Sequence, residues 1–248
     1  MNETLRIQQS HRSIRSYKAD PVSDAMLDQI IAAAYQAPTS MNGQDISLIV
    51  VRDAEKRARI AELAGGQTWI AQAPVFITIV IDFHKTDLGV RKAEQVQIIH
   101  ESMEGFGVAA VDAGIVLGTL ITAAESLGLG IVPIGGIRRN PQDMIDLLGL
   151  PPLTFPLVGL CIGHIANDMP LKPRMSIRTF RHDERYDASG YTAAIDTYDM
   201  AIMGYWEQIG RSDGVSWSDT LGNAYNQVYF SLVKIGRASC RERVLAGV

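Results

Sequence analysis

From Val108 to Ala124 the chain is almost wholly apolar, interrupted only by Asp112, Thr119 and Thr122 among glycines and aliphatic residues. A helix that is apolar on every side has no face to give to water, so it belongs at the centre of a large domain or in a subunit interface. The run falls short of the about 20 residues that cross a bilayer comfortably and carries a carboxylate, which favours an inner helix over a membrane span. The rest of the chain can surround it. With 248 residues, 47% of them hydrophobic and 20% charged, the sequence is that of a globular protein. A chain this long buries about three quarters of its extended surface without disulfide staples.

Two cysteines, Cys161 and Cys240, give no disulfide framework and fit a reducing compartment. The opening residues, MNETLRIQQSHRSIRS, hold no apolar stretch behind their charges, so no signal or transit peptide is expected and the expected address is cytoplasmic. Lys and Arg number 23 against 27 Asp and Glu; the net charge of -4 argues against nucleic acid or an anionic membrane as the main partner.

Short runs rich in Val, Ile and Leu predict strands at Ile46–Val51, Val75–Phe83, Gly130–Ile134 and Phe155–Ile162. Helices are predicted over Ser23–Gln36 with Ser23 as N-cap, Asp53–Ala64, Asn140–Gly149, Tyr191–Ile209 and Trp217–Val233. His84–Gly107, polar and poorly periodic, reads as a mobile excursion or lid. Helices and strands interleave without a regular βαβ rhythm, which points to a three-layer α+β fold. Without repeats or a low-complexity linker, residues 1–234 are expected to form a single domain. The tail, residues 235–248, breaks with the apolar periodic segment before it and resembles the conceptual translation of a sequencing adapter. It is expected to be non-native, an ordinary basic tail being the alternative.

Five segments could carry chemistry. His11, Arg12, Ser13, Ile14, Arg15, Ser16, Tyr17 and Lys18 interleave cations with hydroxyl donors, the mixture that a phosphate monoester requires. A solvated basic edge strand has the same composition. Thr39, Ser40, Met41, Asn42, Gly43 and Gln44 follow Pro38 as a loop of short donors and acceptors, a set that turn residues alone also explain. Gly65, Gly66 and Gln67 read as a helix stop with an exposed amide. The run Ile134, Gly135, Gly136 lets a flat ligand approach main-chain donors closely, or simply makes a tight turn. Lys172 and Arg174 flank Pro173, which fixes the backbone between two cations.

Other patterns are set aside. Gly105, Gly107 and Ala110 match the dinucleotide fingerprint, with Glu125 near the acidic position, but the preceding HESME is not an apolar strand. No two histidines stand at ligand spacing, so no metal site is expected. The sequence holds no GxSxG, P-loop or HExxH motif.

In order and spacing, HRSIRSY at 11–17, APTSMNGQ at 37–44, GGQ at 65–67, AAESLGLG at 123–130, IGGIRRN at 134–140, PLVGLCIGH at 156–164 and LKPR at 171–174 resemble the nitroreductase family, in particular its group A oxygen-insensitive NAD(P)H nitroreductases and NADPH:FMN oxidoreductases. The resemblance implies a three-layer sandwich with a mainly antiparallel central sheet, an intertwined homodimer and FMN as cofactor. Under it, His11, Arg12, Ser13, Lys172 and Arg174 would hold the FMN phosphate and ribityl chain. Arg15 and Gln67 would face the polar edge of the ring, with Arg15 the cation favouring reduced flavin and hence the candidate catalytic residue. Thr39, Ser40, Asn42 and Gln44 would come from the partner chain, and the main chain of Ile134, Gly135 and Gly136 would lie by the ring.

The implied reaction is ping-pong transfer of two electrons from NAD(P)H to nitroaromatics, quinones, azo compounds or free flavin. Pro133 stands where relatives often carry an aromatic, which leaves the ring packing open. Arg211, beside Asp213, is the single candidate for an NADPH 2'-phosphate, so the choice of donor is open too. A non-catalytic binder of flavin or another phosphorylated ligand is the alternative reading.

Overall fold

The computed structural model describes residues 1–228; the tail at 235–248 lies outside the described residues. Its contacts group the chain into two compact units, one over Met1–Asp168 and a smaller one beginning at Met169.

The larger unit is built on four strands, β1 (Ile46–Val51), β2 (Val75–Asp82), β3 (Leu129–Ile134) and β4 (Thr154–His164), in the order β1-β2-β4-β3 with every ladder antiparallel. The central strands read as continuous apolar runs because helices cover both faces. On one face α2 (Asp24–Tyr35) and α6 (Met103–Ser126) pack on Val75, Ile77, Ile79, Leu160 and Ile162. On the other, α3 (Ala54–Leu63), α4 (Thr68–Gln72) and α7 (Pro141–Leu148) meet Phe76, Val132, Ile134 and Cys161. The period-2 alternation of a strand divides these two sets, and the result is the expected α+β sandwich of three layers. Pro133 sits on β3, an edge strand, where a missing N–H removes no bond to a further strand.

Helix ends follow local rules. Ser23 caps α2 by accepting from the Met26 amide. Asn140 stands at the N-cap of α7, but its side chain donates instead to the Leu63 carbonyl at 2.8 Å.

Three elements add to the sequence reading. The stretch 84–107, expected as a mobile excursion or lid, carries a helix: α5 (Phe83–Lys92) is capped by Asp82 and closed by Arg91 and Lys92, the charges a helix dipole favours. Buried Gln97 ties the return, donating to the Phe83 carbonyl at 3.0 Å and accepting from Thr86. Secondly, α6 runs for 24 residues, long and apolar enough to cross a membrane by length and composition, yet a stripe of it packs on the sheet. In the single chain that burial is one-sided, since Ala109, Asp112, Ala113, Val116, Leu120 and Ala124 face inward while Val111 is 62% exposed. Thirdly, the last described helix, α9, covers Trp217–Tyr225, and the end of the predicted helix at Val233 lies outside the described residues.

In the smaller unit α8 (Tyr191–Gln208) buries Tyr198, Ile202 and Tyr205, with Trp217 of α9 edge-on to Tyr198.

Candidate functional site

The cationic segment near the start runs alongside β3. The Ile14 amide donates to the Ile131 carbonyl at 2.8 Å, and Ser13 pairs with Ile131 as a parallel bridge. Ile14 is buried over Gly130, where a Cβ would stand 2.8 Å from the Ile14 side chain, so only glycine admits it. The segment is therefore an edge element whose polar side chains alternate with a buried anchor. His11 Nδ1 lies 2.7 Å from Glu125 Oε1, and Arg12 Nη1 lies 3.2 Å from Asp168 Oδ2. Both side chains expected to face a phosphate here face carboxylates. A hollow of about 240 Å³ beside them is lined by Arg6, Ser10, Arg12 and Glu125.

Arg15 extends over the face of Trp69, 5.6 Å from the ring centre. Trp69 lies on α4, which opens directly after Gln67. The Gln67 side-chain amide donates to the Ala64 carbonyl at 2.9 Å. Gly136 comes against both groups: a Cβ there would stand 2.5 Å from the Ala64 oxygen and collide with Gln67 Nε2. Arg139 in turn occupies the space where Gly65 lacks a side chain. Arg15 on Trp69 of α4, Gln67 just ahead of α4 and Gly136 against Gln67 are thus linked by contacts across as many as 121 positions of sequence, a cradle of main chain and amide beside a stacked guanidinium. Arg138 donates to the Leu157 carbonyl at 2.6 Å, and burial lowers its guanidinium pKa.

The Thr39–Gln44 loop is tethered elsewhere, to α6. The Ser40 amide donates to Asp112 Oδ2 at 2.9 Å, and the Gln44 amide to Thr39 Oγ1 at 3.0 Å. Met41, Asn42 and Gln44 all have positive φ (50°, 54° and 50°), a conformation that non-glycine residues hold only when their surroundings enforce it.

In the smaller unit, buried Tyr198 and Tyr205 donate to the carbonyls of Pro173 and Pro170 and so fix the segment that carries Lys172 and Arg174. Lys172 Nζ sits 4.5 Å from the centre of the Trp206 ring and Arg211 Cζ 4.8 Å from it, so the indole brings two candidate cations together. Arg211 also pairs with Asp213 at 2.9 Å. A cleft of about 510 Å³ is lined by Met203, Trp206, Glu207, Arg211 and Ser212.

Sequence reasoning missed Trp69, Trp206, Glu125 as the partner of His11, and Asp112. Only Asp112 carries a readable signal: it stands in helical phase with the buried stripe of α6. The dinucleotide fingerprint dissolves, because Gly105 and Gly107 lie inside α6 and the Ile99 carbonyl occupies the space beside Gly105. Burial pushes the Cys161 thiol pKa well up, which leaves no nucleophilic thiolate there. Among the described residues, no group of three or more His, Cys, Asp or Glu could hold a metal ion.

The family of this architecture is settled by comparison. The model of the nitroreductase family matches residues 9–164, and that of the family's C-terminal domain matches residues 172–241. The chain belongs to the nitroreductase family. It is 43% identical over 239 residues to a protein of Bacillus subtilis named FMN reductase [NAD(P)H], covering 94% of this chain and 95% of that one. It is 36% identical over 222 residues to the oxygen-insensitive NADPH nitroreductase of Salmonella typhimurium, covering 88% and 89%. The solved structure of NfrA2 from B. megaterium superposes with a TM-score of 0.91 at 40% identity, covering 95% of this chain and 96% of that one.

Proposed function

We infer that this chain is an NAD(P)H-dependent flavin oxidoreductase that carries FMN and delivers electron pairs to nitroaromatics, quinones or free flavin by a ping-pong sequence. Family membership and the names of its relatives support the class of reaction. The observation that carries the reading on this chain is the cradle of Arg15, Gln67 and Gly136. A side chain at Gly136 would collide with the Ala64 carbonyl and Gln67, so glycine there lets the 64–67 turn pack against the 134–136 stretch and sets the Gln67 amide beside it. The donors His11, Arg12 and Ser13 of the larger unit, and Lys172 and Arg174 of the smaller one, are each of the kind that suits a phosphate monoester.

FMN, when bound, supplies the two-electron chemistry between nicotinamide and acceptor. The residues do the rest. Arg15, steadied on Trp69, holds a fixed positive charge at the ring edge where electron density rises on reduction, which favours the reduced form. Gln67 orients the same edge. His11 and Arg12 exchange their carboxylate partners for phosphate oxygens. Thr39, Ser40, Asn42 and Gln44 reach the flavin of the partner chain, and the open side of α6 around Val111 and Ile115 is covered in that homodimer. The Arg211 guanidinium on Trp206 meets the NADPH 2'-phosphate in competition with Asp213. The working enzyme is cytoplasmic, and its function lies within residues 1–234, so truncation after residue 234 leaves flavin binding and turnover unchanged.

The test is spectroscopic. Purified protein should be yellow, bleach in the flavin band on addition of NAD(P)H under nitrogen, and recover colour with a nitroarene or quinone. Protein that takes up FMN but never bleaches with either nicotinamide would be a flavin binder; colourless protein that refuses FMN ends the reading altogether.

A further inference from the structure

Two carboxylic acids are buried where the fold offers little to neutralise them. Asp45 is 6% exposed, at the junction of the Thr39–Gln44 loop with β1, and Asp112 is 4% exposed, on the inward stripe of α6. Their carboxyl groups lie within hydrogen-bonding reach of each other, and Asp45 Oδ1 has no donor to accept from. Asp112 Oδ2 accepts the Ser40 amide at 2.9 Å. The loop between these anchors holds three non-glycine residues at positive φ, so something outside it must keep it in shape.

We propose that Asp45 and Asp112 share a single proton and form a latch that fixes the Thr39–Gln44 loop in its strained, flavin-contacting shape. The proposal rests on the reading of that loop as part of the FMN site. The bond inventory supports it: with Asp45 protonated, its O–H is donated to Asp112, which keeps its bond from Ser40, and both ends of the loop are pinned. Without that proton two buried anions face each other and repel.

Burial raises the Asp45 pKa above the ordinary carboxylate range, and the neighbouring Asp112 raises it further. Among the groups around it, Lys85 on α5 works the other way, its ammonium donating to the Ile46 carbonyl at 3.1 Å. Asp82, at the end of β2, is engaged by the Ser47 hydroxyl and the Lys85 amide. Both acids are positioning residues, since neither is placed against the reacting atoms.

The test measures FMN released on dilution of the holoenzyme, read by flavin fluorescence between roughly pH 5.5 and pH 9, for the wild type, Asp45→Asn, Asp112→Asn and Asp112→Ala. The latch predicts that wild-type affinity falls as pH rises, in a one-proton step. Asp45→Asn, which donates a permanent N–H, abolishes the step and holds FMN at high pH as tightly as the wild type does at low pH. Asp112→Ala loses about tenfold in affinity at every pH, and Asp112→Asn, which keeps an acceptor for Ser40, recovers most of it. A flat wild-type profile, or an Asp112→Ala variant with wild-type affinity, overturns the proposal. Should Asp112→Ala fail to fold, the two asparagine variants decide. Hydrogen exchange of the 38–46 peptide without FMN keeps the two readings apart: faster exchange in the wild type than in Asp45→Asn at one alkaline pH supports the latch even where FMN does not bind, and equal exchange sinks it.

Discussion

The cradle around Gly136 and the loop around Asn42 are both short, polar and glycine-bearing, yet opposite forces hold them. The cradle is made by close approach: Gln67, the Ala64 carbonyl and Arg139 fill the spaces that Gly136 and Gly65 leave. The loop is open, with Met41 at its tip 99% exposed, and is kept in an unfavourable backbone shape by one amide bond to a buried carboxylate. A site formed by packing is rigid and insensitive to pH, whereas a site formed by a buried charge inherits the titration of that charge.

That contrast can be broken most severely at Gly136. Replacing it with valine drives methyl groups into the Ala64 carbonyl and Gln67; overpacking of this kind costs about 1–3 kcal/mol, or about 2–4 °C in unfolding midpoint for each kcal/mol. Loss of bound FMN and a lowered midpoint are expected, and a yellow variant with the wild-type midpoint would show that packing does not make the cradle. Next in size, Arg15→Met should leave oxidised FMN in place but slow its reduction by about 100-fold, measured by stopped-flow absorbance with NAD(P)H; Arg15→Lys should restore part of the rate.

The loop side is sharpened by stability. Asp45 binds its proton more tightly folded than unfolded, so its contribution is full below the unfolded value of about 3.9 and is lost as pH rises through the raised folded value. Asp45→Asn should therefore raise the unfolding midpoint at about pH 8 by about 2–4 °C and leave it unchanged near pH 4. Smallest is Arg211→Ala: because Asp213 already pairs with the guanidinium, KM for NADPH should rise only about 2- to 5-fold and KM for NADH should not move. Unchanged KM for both donors would remove Arg211 from the 2'-phosphate.

The same distinction governs what could be read from sequence. All four strands and α2, α3, α7 and α8 are visible because hydrophobic period and punctuation by Ser23, Pro141 and Gly149 are local signals. The glycine pairs at 65–66 and 135–136 announce themselves as places where side chains are excluded. Contacts over long separations do not: Glu125 looked like a failed dinucleotide motif until the fold set it against His11, and Trp206 gave no sign that it gathers Lys172 and Arg211. The helix within 84–107 is not legible in the sequence because α5 is held by a cap and by one buried amide, Gln97, rather than by an apolar face.

The central claim is that segments scattered from His11 to Arg174 grip one phosphorylated flavin. A crystal structure of the protein grown with FMN addresses it directly. The account predicts the phosphate within hydrogen-bonding distance of His11, Arg12, Lys172 and Arg174, with the ring against Gly136 and its polar edge toward Arg15 and Gln67. Flavin bound at any other surface, or those side chains still closed on Glu125 and Asp168 with FMN present, would contradict it.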